Sequence, residues 1–229
     1  MTNPNTNESN EPTIDDFIFR LEHDDDPEVR RNAAWLLGRQ RDERIIAPLI
    51  AATDDDDPSV RVRVLEALGT VTDPRAIPAL IGCLQDDNGE VRAQAVRSLG
   101  HLAAQQALQP LIATMQDTDA NVRAQTAEAL GHLRNDSATQ VLLAALINDD
   151  DRNVRYSAAQ SLTQIRTATV TQHLNDALQA YDDAGILIDL LEVAGQIADP
   201  AFKDVLEKLK GHEHKDVQAM ADWALGVLR

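Results

Sequence analysis

Few residues of this chain are of a kind that does chemistry, and their spacing decides what they can do. His212-Glu213-His214 sets two imidazoles around a carboxylate within three residues, enough to pick up a stray divalent ion. It falls in a turn and reads as a solvated loop. His101 and His132 stand 31 residues apart. If they occupy equivalent turns of neighbouring helices ~10 Å apart, they do not share an ion through bonds of ~2 Å, and they read as surface histidines. His23 and His173 lack partners. The acidic runs at 24–26, 54–57 and 149–151 suggest calcium, but no Asp-x-Asp-x-Asp-Gly loop follows them. Carboxylates at helix starts, favoured by the macrodipole, are the better account. The single cysteine, Cys83, lies in the apolar run Ala79-Leu80-Ile81-Gly82-Cys83-Leu84 with no base in view, and is expected to be a small buried hydrophobe. No Gly-x-Ser-x-Gly and no phosphate-cradling glycine loop occurs. The residues call for no metal and no cofactor, so function is expected on a surface.

Composition narrows that surface. The 229 residues carry a net charge of −17, which opposes binding to nucleic acid because affinity for phosphates comes from Lys and Arg. Such acidity serves solubility, or suits a salty cytoplasm. Hydrophobic residues make up 43% of the chain but aromatics only 3%, so the core must be built from Ala, Leu, Ile and Val. No stretch approaches ~18 apolar residues, so no membrane-spanning helix is expected. A lone cysteine forms no disulfide within the chain, which fits a reducing compartment, and a cytoplasmic location is expected. Residues 1–12 are mostly Asn, Thr, Glu and Pro with no apolar stretch. They are expected to form a disordered tail rather than a signal peptide.

The elements that position these residues repeat. Val29-Arg30, Val60-Arg61, Val91-Arg92 and Val122-Arg123 follow one another at 31 residues. Two steps of 32 lead to Val154-Arg155 and Ile186-Leu187, and one of 31 to Val217-Gln218. A period of this size marks a solenoid, whose units bury their apolar faces only against neighbours. Each unit reads as two helices. The second opens on a cap residue, Asp26, Asp57, Asn88, Asp119, Asp151 or Asp183, and shows apolar residues at helical spacing, as in Val60, Val64, Leu65 and Leu68. Gly38, Gly69, Gly100, Gly131, Gly195 and Gly226 stand near its end, either stopping the helix or admitting a close neighbour. Asp42, Asp73, Asn135 and Asp199 open the next helix, a pattern that Ala104 breaks. Pro48, Pro78 and Pro110 fall in or near the first turn. Thr13 with Asp16 forms a capping-box pattern ahead of Ile14, Phe17, Ile18 and Leu21. The fold expected is all-α, an α-solenoid of about seven helix pairs over residues 13–229 as a single domain. Ala34, Leu65, Val96, Ala127, Ala159 and Leu191 share one position, and Asp222 replaces them in the last unit, which is expected to end the array.

The recurring pattern, Asp, four residues, Val-Arg, then Ala and Leu-Gly, resembles HEAT repeats, and among them the short type named after phycobilin lyases (PBS lyase HEAT-like repeats). It stands here as Asp24 with Val29-Arg30, Asp55 with Val60-Arg61, Asp86 with Val91-Arg92, Asp117 with Val122-Arg123 and Asp149 with Val154-Arg155. Leu187 and Gln218 depart from it. The arginine column is expected to pair with carboxylates, within a turn or across to the next repeat, and so to fix the stacking. The resemblance implies the fold and leaves function open among scaffolds, lyase subunits and hydroxylases. Deoxyhypusine hydroxylases of this repeat type carry His-Glu pairs just after Val-Arg. Arg31-Asn32, Val62-Arg63, Ala93-Gln94, Ala124-Gln125, Tyr156-Ser157, Ile188-Asp189 and Ala219-Met220 stand there instead, so a di-iron site is not expected.

In this repeat type the second helices line a concave face. Reading their solvent-side positions down the array gives one column of Trp35, Glu66, Arg97, Glu128, Gln160, Glu192 and Trp223, and another of Arg39, Thr70, His101, His132, Gln164, Gln196 and Val227. Two more run from Asn32 through Arg63, Gln94, Gln125, Ser157 and Asp189 to Met220, and from Arg31 through Val62, Ala93, Ala124, Tyr156 and Ile188 to Ala219. Arg31, Arg39, Arg63 and Arg97 gather around Trp35, and Arg and Trp are enriched at binding hot spots. The candidate groove residues are therefore Arg31, Asn32, Trp35, Arg39, Arg63, Glu66, Arg97, His101, Glu128, His132, Tyr156 and Gln160. The partner expected is another protein, offering an acidic peptide segment. The alternative implied by the resemblance is a phycobilin lyase-like subunit acting on a phycobiliprotein. Snorkelling of the arginines over apolar surface, with pairing to Glu66, is the competing structural account of the basic end.

Overall fold

The computed structural model describes residues 12–228; of the tail expected at 1–12, all but Pro12 lies outside the described residues. Fourteen α-helices form seven antiparallel pairs, with no strand among the described residues. The first helices of the pairs are α1 (Ile14–His23), α3 (Ile46–Ala51), α5 (Ile77–Gly82), α7 (Leu108–Thr114), α9 (Thr139–Asn148), α11 (Ala168–Ala180) and α13 (Lys203–Leu209). The second helices are α2 (Pro27–Leu37), α4 (Pro58–Val71), α6 (Gly89–His101), α8 (Ala120–Leu133), α10 (Arg152–Ile165), α12 (Ala184–Ile197) and α14 (Lys215–Val227).

Helix starts are set by local side chains. Thr13 and Asp16 close the expected capping box: Asp16 N–H donates to Thr13 Oγ1 at 3.3 Å and Thr13 N–H to Asp16 Oδ2 at 2.8 Å. Asp57 Oδ1 accepts Ser59 N–H at 2.8 Å, and the caps of α2, α6, α8, α10 and α12 act alike. Asp42, Asp73, Asn135 and Asp199 cap a single tight turn that leads into the first helix, and Ala104 provides no such bond.

The second helices stack directly on one another, α2 on α4, α4 on α6, α6 on α8 and α8 on α10, whereas the first helices touch each other far less. A layer packed more tightly than its partner lies on the inside of a curve, so the second helices form the concave face. The glycines permit that closeness. All keep negative φ, and α4 and α6 run past Gly69 and Gly100. A Cβ on Gly69 would sit 2.6 Å from Ser98 Oγ, which itself donates to Leu65 O of the neighbouring helix at 2.8 Å. Gly131 meets Ser161 in the same way, and Ser161 Oγ donates to Ala127 O at 2.8 Å. These glycines admit a neighbour rather than stop a helix. The stops of α4, α6, α8, α10 and α12 are made instead at non-glycine residues with positive φ, Thr72, Ala103, Arg134, Arg166 and Ala198, whereas α2 does end on its glycine, Gly38, as C-cap. The core is one continuous Ala, Leu, Val and Ile cluster from Phe17 to Leu225.

The arginine column pairs across the repeats. Arg30 Nε and Nη2 donate to Asp55 at 2.7 and 2.8 Å, while Nη1 donates to the carbonyls of Asp24 and Asp25 at 3.0 and 3.2 Å. Arg61 repeats this on Asp86, Arg92 on Asp117 and Arg123 on Asp149, with the bidentate bonds all at 2.7–2.8 Å. Each acceptor carboxylate also takes the N–H two residues on, so one aspartate orders its own loop and clamps the preceding repeat. The departures end this ladder. Tyr181 and His212 occupy the aspartate position in the last two units, and Leu187 replaces an arginine. Gln218 retains the carbonyl anchor, its Nε2 donating to His212 O at 2.6 Å.

Candidate binding groove

Eleven of the twelve candidate groove residues lie on second helices and Arg39 in the turn that follows α2; all stand at or near the surface and none is fully buried. Trp35 is 44% and Tyr156 64% exposed. Trp223, at the far end of the same column, is 43% exposed, its indole resting where a Cβ on Gly195 would stand. Aromatics are scarce in this chain, yet both tryptophans and one of two tyrosines stand in the groove.

The basic end is largely paired. Arg31 is ion-paired with Glu28 and Arg63 with Glu66, each three residues away on the same helix. Arg97 donates to Gln94 Oε1 through Nε at 3.1 Å and Nη2 at 2.6 Å. Arg39 lies over the Trp35 ring, 5.0 Å from its centroid, a cation–π geometry. Asn32 is exposed beside them. Exposed pairs of this kind exchange readily with a competing carboxylate, because each contributes at most ~1 kcal/mol.

Three positions read as solvent-side are in fact covered. Ala93 and Ala124 are buried, and Gln94 is only 9% exposed, with its Nε2 donating to Ser98 Oγ at 3.3 Å. The inner helices approach closely in the middle of the array, so short side chains there fall beneath their neighbours. His101, His132, Arg97 and Glu128 line a shallow depression of about 50 Å³ with Gly100 and Gln125.

Further along, α10 and α12 part and leave a cleft of about 130 Å³, lined by Tyr156 and Gln160 together with Arg152, Arg155, Asp189, Glu192 and Gln196. Burial holds the Asp189 carboxyl above the usual carboxylate range, an effect that Arg155 and then Arg152 only partly offset. Arg152 and Arg155 were not among the candidates. Arg155 belongs to the ladder column, where Tyr181 in place of an aspartate leaves the outer half of its guanidinium without that partner. Larger hollows, about 640 Å³ by Asp149–Asp151 and about 740 Å³ by Arg39–Glu43 and Thr70–Asp73, stand at the loops between helices, and Arg39 of the candidate set lines the second.

No group of three or more His, Cys, Asp or Glu side chains is assembled for a metal ion among the described residues. His212 is not a free loop histidine. Its side chain is only 9% exposed, Nδ1 accepts His214 N–H at 3.0 Å, and Nε2 lies 3.3 Å from Asp182 Oδ1. It replaces the ladder aspartate as the organiser of its loop. Cys83 is buried, and burial pushes its thiol up to about 11.

The family model for HEAT repeats matches residues 14–100, 83–163 and 108–191, and the chain belongs to the HEAT-repeat family, in its short 31-residue form. No curated protein matches the sequence. Among solved structures it is similar to the complex of CpcE and CpcF of phycocyanin lyase from Nostoc sp., at 23% identity and a TM-score of 0.62, with 100% of each chain covered. It is also similar to Kap95p bound to RanGDP, at 16% identity and a TM-score of 0.74, covering 94% of this chain and 35% of that one. A designed armadillo repeat protein in complex with the peptide (KR)4 matches at 18% identity and a TM-score of 0.55, covering 95% and 100%. Likeness at these identities establishes the fold. No helix among the described residues is long and apolar enough to cross a membrane.

Proposed function

We propose that this chain is a non-enzymatic, cytoplasmic scaffold that holds a segment of another protein in its concave groove, with residues 13–229 acting as one repeat domain. The observation that carries this reading is the placement of the aromatics. A chain with 3% aromatic residues places both its tryptophans, Trp35 and Trp223, and Tyr156 exposed along one inner face, Phe19 and Tyr181 being the aromatics exposed elsewhere. Large, stiff side chains on a concave face provide contact area at low entropic cost, and they cluster at hot spots. The arginines around Trp35 favour an acidic stretch at that end, since an incoming carboxylate need only displace Glu28, Glu66 or the Gln94 amide. Support for a groove-bound partner also comes from solenoid neighbours in complex with a protein and with a peptide.

Affinity capture with mass spectrometry identifies the partner. Trp35→Ala, and separately Arg31, Arg63 and Arg97 each replaced by Glu, should then abolish its capture while thermal stability stays nearly unchanged. Undiminished capture by both variants would sink the reading. A second reading, a subunit acting on bilin attachment to or detachment from a phycobiliprotein, is favoured by the likeness to CpcE and CpcF over the whole of both chains. Zinc-induced bilin fluorescence after co-expression with a phycobiliprotein would favour it, and a colourless product would discard it.

A further inference from the structure

The ladder leaves one arginine unfilled. Arg155 keeps the anchoring half of the rung: Nη1 donates to the carbonyls of Asp149 and Asp150 at 3.0 and 3.2 Å, as in the other four repeats. Its other half is vacant. Tyr181 stands where Asp55, Asp86, Asp117 and Asp149 stand in the preceding units, so Nε and Nη2 meet no acceptor among the described residues. The neighbouring carboxylate, Asp182, is turned toward His212. Held by its carbonyl anchor, the guanidinium keeps the orientation in which its four equivalents each clamp a carboxylate.

The stacking opens at the same place. Thr163 occupies the position of the glycine that admits a close neighbour elsewhere. Ala159 is half-buried, although Ala34, Leu65, Val96, Ala127 and Leu191 at the same position are fully buried. The resulting cleft between α10 and α12 is lined by the half-buried Arg155, with Arg152 and Tyr156 beside it. Arg152 makes no ion pair or side-chain hydrogen bond among the described residues, and Asp189 across the cleft makes none with either arginine.

We propose that Arg155, assisted by Arg152, binds a carboxylate side chain from the partner segment, so that the partner supplies in trans the rung that the chain supplies for itself four times. The inference rests on the scaffold reading above. A planar carboxylate fits because the fork offers two parallel N–H groups, the arrangement that clamps Asp55, Asp86, Asp117 and Asp149. Asp189 and Glu192 on the opposite wall favour a single negative charge over the higher charge of a phosphate.

The test titrates the full chain with acetyl-Gly-Asp-Gly-amide and, as a control, acetyl-Gly-Asn-Gly-amide, following arginine Nε–H and backbone amide resonances. The Asp peptide should shift Arg155 Nε–H and the amides around Tyr156 and Ala159, and the Asn peptide should bind at least tenfold more weakly. Tyr181→Asp fills the fork in cis, so it should abolish this binding and raise the melting temperature. Arg155→Lys keeps the charge, loses the fork, and should weaken binding. Shifts absent from the cleft, equal for both peptides, or surviving Tyr181→Asp and Arg155→Lys would overturn the proposal. Partner capture that is lost in Trp35→Ala but intact in Tyr181→Asp would remove this site and leave the scaffold reading standing.

Discussion

Replacing Asp117 by asparagine takes the charge out of a middle rung while keeping its shape. In the native protein Asp117 accepts Arg92 Nε at 2.7 Å, Arg92 Nη2 at 2.8 Å and Asp119 N–H at 2.8 Å. Its side chain is only 9% exposed and that of Arg92 15%. An asparagine can keep one of the two Arg92 bonds through its oxygen, but its amide then points an N–H at a guanidinium N–H. The change therefore removes one charge-assisted bond, worth about 1.5–3 kcal/mol, and weakens the other toward the neutral value of about 1 kcal/mol. Residual water access reduces the loss, and a net destabilisation of about 2–3 kcal/mol is expected, short of the ~3–5 kcal/mol for breaking a fully buried pair. In a chain of this length that lowers the melting temperature by about 5–10 °C. The assay is urea and thermal unfolding followed by helical circular dichroism, with Asp150→Asn as a control. Asp150 also lies near Arg123, at 3.1 Å, but is 95% exposed, so its loss should leave stability unchanged. If Asp117→Asn unfolds within about 0.5 kcal/mol of the wild type, or no more easily than Asp150→Asn, the ladder does not hold the stack together and the account of it is wrong.

Gly131→Ala places a methyl 2.5 Å from Ser161 Oγ and 2.8 Å from its Cβ; it should cost about 1–3 kcal/mol in chemical denaturation, whereas Gly226→Ala meets nothing within 4 Å and should be neutral or slightly stabilising. Acid should loosen the stack in a defined window. Asp117 and Asp149 are held below the usual carboxylate range first by the guanidinium that clamps each; at Asp86 burial is the largest effect and raises the carboxyl, but Arg61, the Asn88 N–H and Asp87 together bring it below that range. With folded values depressed, their contribution is present above the unfolded value of about 3.9 and is lost as pH falls through the folded values; urea midpoints flat from pH 7 to 5 and falling steeply below pH 4 would agree, and a midpoint unchanged at pH 3 would not. Cys83 should resist iodoacetamide at pH 8 in the native protein and react once the chain is unfolded, as a thiol pushed up to about 11 requires.

Much of the fold was legible because each repeat states its rules in short-range code. Asp57 two residues before Ser59, or Thr13 three before Asp16, needs only local geometry, and the structure places those bonds as expected. The direction of the arginine pairing was open, since a long side chain reaches either its own loop or the next. Arg61 does both, with carbonyls at home and a carboxylate abroad. The role of the glycines depended on the neighbour. Gly69 faces Ser98, 29 residues away, and no local pattern separates that contact from a helix stop. The groove was legible as a set of columns but not in its depth. Gln94 looks like its counterparts Arg63 and Gln125, and falls beneath the surface because of how closely the inner helices run. The pairing of Arg31 with Glu28 could have been read from their spacing of three, whereas the cleft at Arg155 needed three distant departures, Thr163, Tyr181 and Leu187, to be taken together.

The missing rung also sets how far a disturbance travels. In a stack where each unit is stabilised by its neighbours, the coupling between adjacent units decides whether they melt together or in blocks. Arg30 to Asp149 ties five units into one run, and between the fifth and sixth that tie is absent while the inner helices stand apart. The weakest coupling in the stack thus falls between the fifth and sixth units, and amide exchange in the last two units is expected to run ahead of that in the first five. Equal exchange throughout the array would show that the packed core, and not the arginine rungs, sets how far local opening spreads.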